Sequence, residues 1–152
     1  MTDIVVRVID CHVVYKEDGL PKFLMLKRSH NKVYPGIWQC VTGKIEPEEE
    51  PIESAIRELK EETSLNPVQK WTIDIVNHFY ESKYDRMNLI PVFGVEVNNI
   101  EVVLSDEHCN YRWCEINEAL QLLTWNQQKN GLIEFNNMLT AQPQKLSLSK
   151  II

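Results

Sequence analysis

Apolar and β-branched residues dominate the first part of the chain in two runs that are separated by a turn. The run IVVRVIDCHVVY covers residues 4–15, and the run KFLMLKR covers residues 22–28. The intervening KEDGLP contains the glycine and proline that punctuate tight turns. This pattern predicts a β-hairpin near the N-terminus.

The rest of the chain alternates between strand-like runs and segments of helical spacing. A loop, HNKVYPGIW, precedes a short strand-like run, WQCVTGKI, and three further runs follow the first helical segment: WTIDIVNHFYE, MNLIPVFGVEV and HCNYRWCE. Helical spacing occurs at residues 51–65, 116–123 and 130–139. Strands, a helix, strands and then helices indicate an α/β (α+β) fold with helices packed on a mixed sheet. We expect one domain at 1–141 and a loose C-terminal tail at 142–152.

The size and composition of the chain fit this single-domain prediction. The chain has 152 residues, of which 43% are hydrophobic and 25% are charged, as in ordinary globular domains. No apolar run reaches the ~18 residues of a membrane-spanning helix, so no membrane partner is expected. Charged residues interrupt the N-terminal run, unlike a secretory signal. These observations predict a cytoplasmic protein.

Four cysteines occur at positions 11, 40, 109 and 114, and no two of them form a CxxC pair. Their spacing fits neither a zinc site nor a disulfide framework. We therefore expect buried, reduced thiols, which agrees with an intracellular location.

The formal net charge of −6 excludes a nucleic-acid polymer as the expected partner, because phosphate backbones are bound by basic surfaces. A small anionic substrate remains compatible with this charge. Its binding would require local cations, supplied by Lys and Arg side chains or by a bound metal ion.

The first helical segment has a clear start and a clear end. Pro51 suits the first position of a helix, and Asn66-Pro67 marks its end. The spacing i, i+3, i+4, i+7 indicates a core-facing stripe, which comprises Ile52, Ala55, Ile56 and Leu59.

Three glutamates, Glu58, Glu61 and Glu62, lie beside this apolar stripe on one arc of the helix. Like charges at this spacing repel each other by a few tenths of a kcal/mol, and only Arg57 offsets them nearby. A charge run is often a solvated face. Here the three carboxylates converge at the edge of the core, and carboxylates with substrate phosphates are the ligands that Mg²⁺ prefers. The arrangement therefore favours a divalent metal site.

The segment GKIEPEEEPIESAIRELKEETSL, which begins at Gly43, resembles the Nudix box. That motif is Gly, five residues, Glu, seven residues, and then Arg-Glu-aliphatic-any-Glu-Glu-any-Gly-aliphatic. Eight positions match at the required spacing: Gly43, Glu49, Arg57, Glu58, Leu59, Glu61, Glu62 and Leu65. Ser64 stands where the motif has glycine, so we expect a slightly altered helix end, since Ser adopts the left-handed conformation at some cost.

The resemblance implies a Nudix-type α/β/α sandwich and a hydrolase that uses Mg²⁺ or Mn²⁺. It implies Glu58 and Glu62 as the main metal ligands, with Glu61 as a further ligand or as the group that activates water. Arg57 and Glu49 resemble the ion pair that joins the loop to the helix. Gly43 is then a structural position of the motif.

Further segments, namely FLMLKR, IWQCVTGKIE, SDEHCNYRW and LLTWNQ, resemble bacterial dATP pyrophosphohydrolases, also described as dihydroneopterin triphosphate pyrophosphatases. This resemblance implies that Arg28 binds phosphate and that Glu107 adds a carboxylate to the metal cluster. It also implies substrate or metal contacts for Thr42 and a substrate contact for Thr124.

Each of these assignments has a structural alternative. Arg28 is then the solvated end of a strand, Glu107 caps a turn and Thr124 caps the last helix. We interpret His108 as a structural residue and Trp38 as an anchor in the core.

The function predicted is metal-dependent hydrolysis of a nucleoside (dATP-like) or pterin triphosphate to a monophosphate and pyrophosphate. The alternatives are cleavage of dinucleoside polyphosphates, ADP-ribose or oxidised nucleotides, or a Nudix module that senses a nucleotide without cleaving it. Retention of all three motif glutamates favours hydrolysis. The sequence leaves the exact substrate and the oligomeric state open.

Overall fold

A computed structural model describes residues 1–152 as an eight-stranded mixed sheet flanked by helices. The strands are β1 (Asp3–Val5), β2 (Val8–Glu17), β3 (Leu20–Arg28), β4 (Trp38–Gln39), β5 (Val41–Lys44), β6 (Gln69–Glu81), β7 (Arg86–Glu96) and β8 (His108–Cys114). The helices are α1 (Pro51–Thr63), α2 (Ile116–Leu122), α3 (Asn126–Ala141) and α4 (Pro143–Leu148), with a short 3₁₀ turn at Ser82–Tyr84. The predicted mixed sheet with packed helices is confirmed.

Strand β7 joins the antiparallel and parallel parts of the sheet. It pairs with β6 in the antiparallel sense and with both β1 and β2 in the parallel sense. Strands β2 and β3 form the predicted hairpin, with Glu17 opposite Leu20. Beyond the paired part of the hairpin, β4 pairs with β3 and β5 pairs with β2, so the segment 38–44 inserts between the two strands.

The first predicted strand is interrupted at Val6 and Arg7. Asp3 lies opposite Arg86 and Asp10 lies opposite Val92, so seven positions on this segment span six on β7. The extra residue breaks the ladder locally, which is the effect of a bulge.

Each face of the sheet carries a hydrophobic core. Alternation along β2 sends Ile9, Cys11 and Val13 toward α1, while Val14 joins the core beneath α3. Helix α1 therefore covers one face, and α2 and α3 cover the other. No helix of the protein is both long enough and apolar enough to cross a membrane.

The C-terminal tail is not loose, contrary to the sequence expectation. Within it, α4 is tied down by Lys145, whose Nζ lies 2.8 Å from Asp74 and 2.7 Å from Glu134. The Ile151 amide donates to the Lys70 carbonyl at 2.9 Å and its side chain packs against the core. The tail pairs with the outer edge of β6, where backbone groups would otherwise lack partners. Because the tail is largely polar, its hydrophobic pattern did not predict this edge pairing.

The cysteines follow the alternation of their strands. Cys11, Cys40 and Cys114 are buried and free, whereas Cys109 is exposed. The expectation of buried thiols is therefore wrong for Cys109, which lies at an irregularity of β8 where Lys27 pairs with Asn110 and Arg28 with His108.

Candidate active site

Helix α1 presents its carboxylates at the edge of the core. The helix begins at Pro51, and Ala55 and Leu59 are fully buried against the sheet. Glu58 and Glu62 lie one turn apart beside this stripe, and only 2% of Glu62 is exposed. The helix therefore carries a buried carboxylate into the interface with the sheet.

Arg57 ties the acidic loop to α1. Its Nε and Nη2 donate to the two carboxylate oxygens of Glu49 at 2.8 and 3.0 Å, and Nη2 also donates to the Lys44 carbonyl at 2.8 Å. Its Nη1 donates to Glu58 at 2.9 Å and to Glu61 at 3.2 Å. The hydrogen bonds that Arg57 donates to Glu49 lower the pKa of Glu49 to about 2. Every donor of this guanidinium head thus serves the junction of the loop and the helix.

Glu62 has an opposite environment. Both of its carboxylate oxygens are buried without a hydrogen-bond donor. Burial raises the pKa of Glu62 well above 4.5, and the nearby carboxylates of Glu58 and Glu107 raise it further. A buried carboxylate without donors is costly, and a bound cation would offset that cost.

Gly43 is required because the Glu58 side chain lies against it. A Cβ built at this position would lie 2.2 Å from the carboxyl carbon of Glu58. Burial raises the pKa of Glu58, while the hydrogen bond from Arg57 opposes that rise. Gly43 therefore makes room for the Glu58 carboxylate, which is a different role from supplying backbone freedom.

Glu107 and His108 face α1 from the sheet. One ligand atom from each of Glu62, Glu107 and His108 lies within 4.8 Å of the other two. The ring Nε2 of His108 is 3.0 Å from the Gln39 side-chain nitrogen, and its Nδ1 is buried without a partner. Burial lowers the pKa of His108 to about 4. The sequence interpretation of His108 as structural did not predict this location, because the location depends on the irregularity at Cys109 that interrupts alternation along β8.

Arg28 borders this cluster. Its Nη1 is 3.7 Å from Glu107, and its Nε donates to the Val33 carbonyl at 3.0 Å. The Arg28 side chain is 18% exposed. Its guanidinium connects the Glu107 carboxylate to the loop after β3.

Three sequence candidates lie outside the buried cluster. The Glu61 side chain is 57% exposed and contacts Arg57. The Thr42 hydroxyl donates to the Ile9 carbonyl at 2.8 Å, and alternation along β5 points it away from Glu58. Thr124 is exposed and does not cap α3, whose N-cap residue is Trp125.

The end of α1 keeps the geometry of the motif despite the serine. Ser64 has φ 65° and ψ 12°, and its amide donates to the Lys60 carbonyl at 2.9 Å. The expected alteration of the helix end is therefore absent, and Ser64 adopts the left-handed conformation itself.

The donor set of the cluster fits a divalent cation. Glu58, Glu62 and Glu107 offer carboxylate oxygens, and the two of Glu62 have no protein donor. Such oxygen-rich sets are typical of Mg²⁺ and Mn²⁺ sites that also use substrate phosphates. The residues present therefore fit the ion that the motif implies.

Comparison with known proteins shows which domain family the sequence matches. The NUDIX domain model matches residues 6–135. An asymmetrical bis(5'-nucleosyl)-tetraphosphatase of Caenorhabditis elegans is 32% identical over 132 residues, covering 84% of this chain and 92% of the relative.

Solved structures give the same result for the fold. A C. elegans Ap4A hydrolase binary complex superimposes with a TM-score of 0.71 and 25% identity, covering 89% of this chain and 98% of the other. The E. coli dihydroneopterin triphosphate pyrophosphohydrolase superimposes with a TM-score of 0.68, covering 86% and 97%. Its 22% identity supports a shared fold alone.

Proposed function

The chain belongs to the Nudix family, and we propose that it cleaves the anhydride bond that joins a nucleoside or pterin monophosphate to a longer phosphate chain. Family membership makes the protein a hydrolase of pyrophosphate bonds. The observation that carries the proposal is the donor-free, buried carboxylate of Glu62 beside Glu58 and Glu107. A divalent cation would balance those charges, and it would also bind the oxygens of a phosphate chain.

Glu58, Glu62 and Glu107 are the residues proposed to hold the metal. When bound, a divalent ion neutralises phosphate oxygens and lowers the pKa of a coordinated water. Glu58 is held in place by Arg57 and by its contact with Gly43. Glu61 reaches solvent, where it can accept a proton from water, and Arg57 orients its carboxylate.

We assign to Arg28 the neutralisation of the departing phosphate group. It lies at the rim of the carboxylate cluster, and a guanidinium fork suits phosphate oxygens. Its single contact with Glu107, at 3.7 Å, is longer than a hydrogen bond, so it can be exchanged for a phosphate at little cost.

An aromatic pair gives the base a platform. Tyr34 and Trp125 are exposed and pack edge to face with their ring centroids 5.4 Å apart. Tyr34 follows Val33, the residue whose carbonyl accepts from Arg28, so the backbone at Tyr34 adjoins the Arg28 contact. Stacking on such rings binds a flat base without reading its edge.

A dinucleoside tetraphosphate is the first candidate substrate. The relative at 32% identity carries the name of an asymmetrical tetraphosphatase, and its similarity covers most of both chains. Asymmetrical cleavage of a four-phosphate bridge gives a nucleoside monophosphate and a nucleoside triphosphate.

A nucleoside or pterin triphosphate is the second candidate. It is favoured by the segments around Arg28, Thr42 and Glu107 that resemble the triphosphate pyrophosphohydrolases. Cleavage next to the first phosphate then gives a monophosphate and pyrophosphate. Both candidates break the bond at the same place, and they differ in the leaving group.

The test is a panel of diadenosine tetraphosphate, dATP, dihydroneopterin triphosphate and ADP-ribose with Mg²⁺ or Mn²⁺, followed by chromatographic identification of the products. We expect a monophosphate from the preferred substrate, with ATP or pyrophosphate as the second product. Binding of every nucleotide without turnover would indicate a sensing module instead. Release of single orthophosphate from dATP would contradict the proposed position of cleavage.

A further inference from the structure

We propose that His108 is a third protein ligand, through a ring nitrogen, for a metal ion held by Glu62 and Glu107. This inference rests on the proposed metal cluster and adds a nitrogen donor to its carboxylates. It assigns to this part of the site a transition ion such as Mn²⁺ or Co²⁺ in preference to Mg²⁺.

The first observation is the position of the imidazole. One ring nitrogen of His108 and one oxygen from each of Glu62 and Glu107 lie within 4.8 Å of one another. Ligands about 2.1 Å from a common ion are separated by roughly 3 to 4.2 Å. Small side-chain rotations therefore bring all three atoms onto one ion.

The second observation is that one nitrogen of His108 and both carboxylate oxygens of Glu62 have no other partner. His108 is 3% exposed, and its Nδ1 is buried without a hydrogen bond. Both oxygens of Glu62 are also buried without a donor. The structure therefore brings unsatisfied groups from β8 and α1 to the same place.

The third observation is a residue that fixes the ring. Gln39 is 5% exposed, and its side-chain amide lies 3.0 Å from Nε2 of His108. A half-turn of that amide presents its oxygen to an Nε2–H group, which leaves the Nδ1 lone pair free for a metal. Ligating histidines commonly donate their other N–H to such a partner. Gln39 is therefore a positioning residue for His108.

The nitrogen donor predicts which ions are preferred. Mg²⁺ takes oxygen ligands almost exclusively, whereas imidazole suits the transition metals. Mn²⁺ accepts both kinds of ligand and is paramagnetic, so it serves as the probe.

The experiment is electron spin-echo spectroscopy of the full chain with one equivalent of Mn²⁺, prepared with ¹⁴N-histidine and with ¹⁵N-histidine. We expect modulation from a directly bound nitrogen that changes with the isotope. It should persist in His30→Asn, a control at an exposed histidine, and disappear in His108→Asn. Because the isotope comparison uses the wild-type chain, it decides whether a histidine nitrogen is bound even if a variant fails to fold, and of the four histidines only His108 lies in a group of possible metal ligands.

Titration of the same proteins gives an independent readout. His108→Asn should weaken Mn²⁺ binding by about tenfold or more while changing Mg²⁺ binding less. Gln39→Leu should weaken Mn²⁺ binding but retain the nitrogen modulation.

Two results would overturn the inference, and they are distinguishable. Mn²⁺ binding that depends on Glu62, tested with Glu62→Gln, but shows no bound nitrogen would remove His108 and leave the carboxylate cluster intact. Mn²⁺ binding that is indifferent to Glu62→Gln would overturn both the inference and the proposed metal site.

Discussion

The glutamates at α1 lie in two environments that differ in whether the protein itself balances their charge. Glu49 receives two hydrogen bonds from Arg57, and its pKa falls to about 2. Glu62 receives none, and its pKa rises well above 4.5. The same residue type thus stabilises the fold at one end of the motif and destabilises the metal-free fold at the other. The paired carboxylate of Glu49 and the unpaired carboxylate of Glu62 lie near opposite ends of α1.

The largest expected effect comes from neutralising the unpaired carboxylate. Glu62→Gln should lower kcat/KM by about 10³-fold, equivalent to about 4 kcal/mol of lost transition-state stabilisation, because the ion loses a charged ligand. Steady-state kinetics and a thermal melt measure this, and the melt should show an unchanged or more stable fold. Glu61→Gln, at an exposed position, should have a much smaller effect on Mn²⁺ affinity. Equal effects of the two variants on Mn²⁺ affinity would erase the contrast between buried and exposed carboxylates.

Displacing Glu58 without changing it should have the next largest effect. Gly43→Ala places a Cβ within 2.4 Å of the Glu58 side chain, so the carboxylate must move. A displacement of this kind is expected to cost about 10²-fold in kcat. Gly94→Ala is the matched control, since its added Cβ meets Phe135 in the other core at 2.5 Å. That variant should lose stability rather than specific activity, and the reverse pattern would show that Gly43 serves only packing.

Removing Arg57, the partner of Glu49, should lower the stability of the fold. Arg57→Leu removes a hydrogen-bond donor from the carboxylates of Glu49, Glu58 and Glu61 and breaks the link between the acidic loop and α1. We expect the free energy of unfolding to fall by about 2 kcal/mol, which allows for the 22% exposure of the Arg57 side chain. Arg57→Lys should recover only part of this loss, because a lysine cannot donate to both Glu49 oxygens in the same way. Chemical denaturation measures both. Glu53→Gln is the control, since Glu53 forms no ion pair despite its favourable spacing to Arg57, and a loss above ~0.5 kcal/mol there would weaken the account.

The smallest expected effect tests the end of the helix. Ser64 holds φ at 65°, a conformation that costs a residue with a Cβ about 1 kcal/mol. Ser64→Gly should therefore raise the free energy of unfolding by about 1 kcal/mol and the Tm by about 2–4 °C. Activity should be unchanged, since Ser64 lies outside the carboxylate cluster. A lower Tm would mean that the contact of its hydroxyl with the Val103 carbonyl outweighs the strain.

Local pattern was sufficient for most of the fold and for the helix that carries the site. The apolar stripe around Ala55 and Leu59 and the start at Pro51 follow from spacing and from backbone chemistry, and the structure agrees. The strand runs also matched, except at the bulge near Arg7 and at Cys40, where one predicted strand divides into β4 and β5. Both differences depend on pairing with strands that are distant in sequence. The docked tail was missed for the same reason, because Ile151 pairs with a strand edge about eighty residues away in sequence.

The features of the site also divide into those that follow from local spacing and those that depend on tertiary contacts. Glu58 and Glu62 share one helix, so their proximity could be read from spacing alone. His108 and Gln39 meet only because β3 lies between β4 and β8, which no local pattern specifies. The distinction between a paired Glu49 and an unpaired Glu62 likewise depends on tertiary contacts, and residue types alone do not reveal it.

The most direct test is the stability of the metal-free protein as a function of pH, for the wild type and for Glu62→Gln, with and without Mn²⁺. Because the folded pKa of Glu62 is raised above 4.5, the folded state binds its proton more tightly than the unfolded state does. The contribution of Glu62 should therefore be lost as the pH rises above about 4.5, so the stability of the metal-free wild type relative to Glu62→Gln should fall over that range. The pKa shift of Glu49 has the opposite sign. The stability that Glu49 contributes should therefore be lost in both proteins as the pH falls from about 4.5 toward 2.

Mn²⁺ should restore the stability of the wild type at pH 8 and leave Glu62→Gln nearly unchanged. That result would show that the unpaired carboxylate is completed by a metal ion. Parallel pH curves for the two proteins, with an equal gain from Mn²⁺, would contradict the account.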